Sequence, residues 1–409
     1  MKRFRDSFFK DCSEREKNEI LAEIREKEKN LDRIKGSLFG GAMGDALGYP
    51  IEFWKEDRIF GEYGDSGITE YILDPGTGKA LISDDTQMTL FTADGFLYAE
   101  TRGLMRGIGG PPHAYIRQSY ADWLQTQKVT KEKFDEMRRN NDYSGLSWLN
   151  DVPELYSKRM PGSTCINAIY HAIDKYQWGS VAKPANDSKG CGGVMRVAPL
   201  GLHCSKSDII GLDKEAAEVA ALTHGHSLGF MPASMLTHII SRIVFPQNTN
   251  MSLEDIVIEA RDTVHDIFAE DEHISELDDI INRAIELSHN DDSDLDNIHK
   301  LGEGWVAEET LAIAIYCSLR YQNDFSKGII AAVNHNGDSD STGAVTGNIL
   351  GALLGYDAIE EKWKSNLELF DVIDEMAGDL CYGCLMYEGS TYDDDDWTRK
   401  YIYTRWKED

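Results

Sequence analysis

Two short runs of oxygen-bearing side chains stand at the head of apolar segments. The first is Ser83, Asp84, Asp85 and Thr86; the second is Asp338, Ser339, Asp340, Ser341 and Thr342. Serine and aspartate are ordinary helix N-caps, and carboxylates suit the positive end of a helix dipole. Capping accounts for one or two oxygens in each run and leaves the others without a reason. Carboxylate and hydroxyl oxygens together are the ligand set of a hard cation such as Mg²⁺ or Mn²⁺. Uncompensated carboxylates at a buried place repel one another. Two such runs, far apart in sequence, therefore point to a cation site assembled by the fold.

Glycines recur every fourth residue in two stretches, at 36, 40, 44 and 48 and at 343, 347, 351 and 355. That spacing keeps them on one helix face. Glycine inside a helix costs about 1 kcal/mol relative to alanine, so each stripe needs a packing reason. The two segments are expected to cross each other, or a shared neighbour, at close range. Asp45 lies within the first stripe and Glu52 just beyond it. A lone buried aspartate is usually satisfied by backbone donors.

Gly190, Gly192 and Gly193 cluster before an apolar turn. Such a cluster lets backbone N–H groups approach a phosphate, although a tight turn explains it equally and the Lys-Ser/Thr ending of a P-loop is absent. His224 and His226 form a His-x-His pair with no third zinc ligand at helical spacing, which favours core or ligand-contacting roles. Asp292, Asp294, Asp296 and Glu303 have the spacing of a calcium loop, but Asn297 stands at the turn glycine and Lys300 where an oxygen is needed, so an acidic linker is the better reading. Arg102–His113, rich in Gly and Pro, is a candidate lid.

The 409 residues provide for a large core, and almost every periodic segment repeats with the helical period. This predicts one compact all-α domain, residues 36–390. A surface helix extension over 1–35 precedes it and an acidic, aromatic tail over 391–409 follows. A net charge of −29 argues against nucleic acid and anionic membranes as partners. The seven cysteines show no secreted disulfide pattern, and no signal-peptide or membrane-spanning run occurs. A cytoplasmic location is the expectation. Cys381 and Cys384 are expected to pack rather than to bind zinc.

Six motifs together resemble the ADP-ribosylglycohydrolase family, also called the ADP-ribosylation/crystallin J1 family. They are GAMGDALGYPIE at 41–52, SDDTQM at 83–88, GCGGVMRVAP at 190–199, ALTHGH at 221–226, GEGWVAEETLAIAI at 302–315 and GDSDSTGAVTGNILGA at 337–352. The resemblance implies an orthogonal helical bundle with a pair of Mg²⁺ or Mn²⁺ ions in a cleft. It makes Ser83, Asp84, Asp85, Asp338, Asp340 and Ser341 the metal ligands, with serine where relatives often have threonine. It places Glu52 at the metal site, Gly190, Gly192 and Gly193 at the diphosphate, and His224 toward the nucleoside. The implied reaction is hydrolysis of the glycosidic bond between ADP-ribose and an acceptor, a protein side chain such as arginine or a small conjugate. Glu52, Asp85 and Asp338 are the candidate bases. The alternative is a non-catalytic ADP-ribose binder or crystallin-like structural protein, which would have no need of the repelling carboxylates.

Overall fold

The protein is described by a computed structural model, in which residues 9, 12–107, 109–143, 145–203, 208–247, 250–388, 390 and 394–402 are described. Much of the expected tail, 391–393 and 403–409, lies outside them, as do the first eight residues of the front extension. Among the described residues the secondary structure is helical, and β-pairing is confined to isolated bridges. None of these helices is long and apolar enough to cross a membrane.

Nine helices carry the argument: α1 (Glu14–Glu28), α2 (Leu31–Gly48), α3 (Asp84–Arg106), α4 (His113–Lys128), α5 (Ile209–Ala221), α6 (Ser227–Val244), α7 (Ala307–Arg320), α8 (Ser339–Leu354) and α9 (Phe370–Tyr382). At the centre, α2 and α8 lie antiparallel with their backbones in contact. A Cβ placed on Gly36, Gly40 or Gly44 would fall 2.0, 2.2 and 1.9 Å from the carbonyl oxygens of Gly351, Gly347 and Gly343. Only glycine permits this approach. Ser37 and Asn348 stitch the seam, the hydroxyl donating to Asn348 O at 3.0 Å and the amide donating to Ser37 O at 2.9 Å. The glycine spacing is thus explained by direct contact between the two predicted segments. Gly355 is the exception, since it ends α8 with φ +84°.

Antiparallel packing has a functional consequence. It sets the C-terminal end of α2, which carries Asp45, beside the N-terminal end of α8, which carries Asp338 and Asp340. The 3-10 turn Tyr49–Ile51 then delivers Glu52 to the same place.

Three expectations need correction. The front segment is not one helix to residue 35: the chain breaks at Lys29–Asn30, and Ile34 belongs to α2. In α1, Ile20 and Ile24 are buried, and Lys27 donates to Tyr382 O at 2.6 Å, so the helix is fastened to α9. Of the Arg102–His113 stretch, Arg102–Arg106 is the last turn of α3, and the loop after it joins the far end of α3 to α4. At about 1.5 Å per residue the length of α3 puts that loop ~30 Å from Asp84, too far to cover it. The acidic segment at 292–303 is largely helix (Asp294–Leu301), with Asp292 held by Lys300 and Asp294 by Tyr316, Tyr321 and Arg320. Those contacts leave no calcium loop. Cys381 and Cys384 are buried thiols that donate to Lys27 O and Met386 O, as packing requires.

Candidate metal centre

Ser83 caps α3 by accepting from Asp85 N at 3.1 Å, and Asp338 caps α8 by accepting from Ser341 N at 3.4 Å. Glu52, Asp338 and Asp340, all buried, each bring an oxygen within 4.8 Å of the other two. Asp84 and Asp85 are not members of this trio, although the charge of Asp340 acts on both. Asp84 is fixed at its backbone and side chain: its N–H donates to Arg159 O at 3.1 Å, and its Oδ2 accepts from Gly162 N at 3.2 Å.

Asp45 has a different part. It is fully buried and accepts from Ser83 N at 2.9 Å and from Thr86 N and Oγ1. It ties the end of α2 to the start of α3, so that Asp84 and Asp85 arrive in register with α8. This is the backbone satisfaction expected of a lone buried aspartate.

The electrostatics are those of negative charges without a counter-charge. Burial, reinforced by Asp340 and Asp338, pushes Glu52 up to about 10. Burial and then Asp340 raise Asp45 to about 7 and lift Asp84, Asp85 and Asp338 well above the carboxylate range. Asp340 is raised by burial and held down by Asp338, Ser341 N and Ser83. Glu52 Oε2 and Asp85 Oδ2 are buried without any hydrogen-bond partner. A buried oxygen left unpaired costs about 1–3 kcal/mol. Orphaned oxygens beside a mutually repelling trio are the donor set that a divalent cation satisfies.

The glycine stretch lies against this cluster. Gly190 bridges Val306, Cys191 N donates to Trp305 O at 3.2 Å, and Asp338 N donates to Glu303 O at 2.9 Å. The Cys191 thiol donates to Asp338 Oδ2 at 2.8 Å. Just ahead of the 3-10 turn Cys191–Gly193, Gly190 N donates to Ser188 Oγ at 3.3 Å. Packing also explains two of the glycines. A Cβ on Gly192 would meet His224 Cε1 at 2.8 Å, and one on Gly193 would meet Gly229 O at 2.7 Å. His224 therefore faces the stretch, whereas His226 caps α6 by accepting from Leu228 N at 3.1 Å. The pair does not converge on a metal.

Neither Arg159–Gly162 nor the Cys191 thiol was expected at the site. No local signal marks the first, because its role is played by backbone atoms. Arg196 and Thr223, behind His224, were likewise overlooked.

The fold is an all-helical bundle in which the ends of two central helices bring buried carboxylates together. A family model described as ADP-ribosylglycohydrolase matches residues 26–388, and the chain belongs to that family. It is 31% identical to the ADP-ribosylhydrolase ARH3 of Gallus gallus over 67% of this chain and 81% of the relative. It is 26% identical to human ARH3, over 86% and 93%. With the ADP-ribosyl-[dinitrogen reductase] glycohydrolase of Rhodospirillum rubrum it shares 23% identity over 83% and 91%. A solved structure titled ADP-ribosylglycohydrolase-related protein complex superposes with a TM-score of 0.57 at 22% identity, over 87% of this chain and 98% of that one, which shows the fold.

Proposed function

We propose that the protein hydrolyses the glycosidic bond joining ADP-ribose to a protein side chain, arginine first among the candidates, with two Mg²⁺ or Mn²⁺ ions as cofactors. The observation that carries this is the trio Glu52, Asp338 and Asp340 with its orphaned oxygens, set directly against the glycine stretch. The residues that would hold the ions are Ser83, Asp84, Asp85, Asp338, Asp340 and Ser341, with Glu52 at the opening. When bound, the metal would orient ribose hydroxyls and lower the pKa of a water molecule.

The chain's own residues supply the remaining steps. Positive charge develops on the distal ribose as its bond to the acceptor breaks, and the surrounding carboxylates stabilise that charge. Glu52, Asp85 and Asp338 are the candidates to take the proton of the attacking water. Glu52 and Asp85 each keep a buried oxygen free for the purpose, whereas Asp338 Oδ2 already accepts from Cys191. The glycine stretch would hold the diphosphate. At Ser188 opens a cavity of about 440 Å³ lined by Thr164, Asn167, Ala168, His171, Ala172 and Asn186, which would take the nucleoside end.

The test is release of free ADP-ribose from arginine-linked and serine-linked ADP-ribosyl peptides, with Mg²⁺ or with a chelator. Metal-dependent release from the arginine linkage is expected. ADP-ribose binding without release from either linkage would leave a binder.

The pKa shifts carry a further expectation. Unfolded carboxylates titrate near ~4, while these folded ones are raised. The metal-free fold therefore holds more protons than the unfolded chain above that pH, and its stability falls as pH rises toward the folded values. A cation replaces those protons. Thermal melts at about pH 5.5 and about pH 8 should show the larger Mg²⁺-induced rise in Tm at the higher pH. Equal rises at both values would remove the cluster as the binding site.

A further inference from the structure

Behind His224 lies an arrangement that the metal chemistry does not use. Arg196 is fully buried, and its partners are neutral. One terminal nitrogen donates to Thr223 Oγ1 at 2.7 Å and to Val219 O at 3.3 Å. The other reaches Cys165 Sγ at 3.4 Å and Met88 Sδ at 3.7 Å, and the guanidinium lies 4.5 Å from the Tyr120 ring centroid. Nε has no partner. A buried cation held this way is expensive, and an apolar side chain of similar volume would fill the space at lower cost. Thr223 Oγ1 in turn lies 2.8 Å from His224 Nδ1.

We propose that Arg196, acting through Thr223, fixes His224 as a neutral ring with its proton on Nε2. The ring then presents an N–H donor to ADP-ribose lying along Gly190–Gly193. This rests on the ligand assigned to the glycine stretch under the proposed function.

A guanidinium only donates, so Thr223 Oγ1 accepts from Arg196 and the hydroxyl has one proton left to give. Its neighbours are His224 Nδ1 and Cys165 Sγ. Imidazole nitrogen is the stronger acceptor, because thiol sulfur accepts weakly. Nδ1 is therefore the unprotonated nitrogen. A second positive charge beside a buried guanidinium is disfavoured, and burial followed by Arg196 pushes His224 down to about 3. The neutral ring carries its proton on Nε2, and a Cβ placed on Gly192 or Gly190 would lie 3.3 or 3.4 Å from that atom. The donor thus points to the stretch. His224 cannot act as a base toward the ligand, which leaves proton removal to the carboxylates. Asn186 braces the turn by donating to Thr223 O at 2.8 Å and accepting from Gly225 N at 3.2 Å. Arg196 and Thr223 are positioning residues, since neither touches the ligand.

The experiment is ¹H–¹⁵N correlation of histidine-labelled full-length protein, with the His224 signals assigned by loss in His224→Gln, alongside calorimetric titration with ADP-ribose. Wild type should show an unprotonated Nδ1 and a protonated Nε2 through pH 6–8. Thr223→Val keeps the shape and removes the relay. It should mix the tautomers and weaken ADP-ribose binding about 5- to 10-fold, the worth of one hydrogen bond, while Thr223→Ser restores both. A protonated Nδ1 in wild type overturns the proposal, as does wild-type affinity in Thr223→Val. Should that variant fail to fold, the wild-type tautomer alone decides. The predicted tautomer in a protein that does not bind ADP-ribose would overturn the ligand and, with it, the proposed function.

Discussion

Asp340→Asn should abolish hydrolysis and raise the stability of the metal-free protein in the same variant. Asp340 is one of the three carboxylates whose oxygens come within 4.8 Å of one another. It is also the leading charge, after burial, that lifts Glu52, Asp45, Asp84, Asp85 and Asp338. An amide of the same shape keeps the packing and removes both the ligand charge and the repulsion. Loss of a central electrostatic group in a closed site typically costs about 10²–10³-fold in rate, or ~3–4 kcal/mol, and loss of the cation would add to it. The metal-free Tm should rise, because the surrounding carboxylates ionise more readily. Hydrolysis of ADP-ribosyl peptide and calorimetry with and without Mg²⁺ report the two arms. Retained activity would remove Asp340 from the site. A fall in metal-free Tm would show that the carboxylates do not repel in the way their burial requires.

The second large effect belongs to the seam. Gly347→Ala would put a methyl group 1.9 Å from Gly40 O, where backbone faces backbone on both sides. No side chain can move aside, so α2 and α8 must separate. Overpacking costs typically about 1–3 kcal/mol. With the whole seam forced open, the expected loss is at the exceptional end, ~4 kcal/mol or more. Because the seam also sets Asp45 against Asp340, cation affinity should fall with stability. Gly103→Ala is the control. Gly103 lies in α3 with open space where its Cβ would be, and alanine there should stabilise the helix by up to ~1 kcal/mol. Denaturant melts of both variants give the comparison. Equal behaviour would mean that the glycine spacing does not hold the helices together.

These variants mark what was legible before any fold was known. Helical periodicity identified the fold class, because an amphipathic or buried helix writes its period into the chain. The four-residue glycine repeat identified a close helix contact, because glycine inside a helix is disfavoured unless something fills the space of its missing side chain. The two oxygen-rich helix starts were legible as a pair for the same kind of reason: more acceptors than a cap can use. The motif set added the family, which the match over residues 26–388 shows. Reading failed where contacts are made by backbone atoms or cross between distant segments. The Arg102–His113 loop has lid-like composition, yet the length of α3 carries it away from Asp84. Arg159–Gly162 carries none of the motifs, yet its backbone fixes Asp84 at both ends.

The sequence by itself determined an all-helical chain, two stripes of glycine demanding a backbone neighbour, and a surplus of carboxylate oxygens demanding a cation. Each is a local requirement, expressed by residue type and spacing within one segment. The tertiary structure alone decided that the two stripes satisfy each other, that they do so antiparallel, and hence that Asp45, Glu52 and Asp340 share one place. It alone set Arg196 behind Thr223 and His224. A helix end carries no information about which other end it will meet. That pairing is set by the packing of whole helices, and the direction in which α2 and α8 close on each other is what brings the carboxylates together.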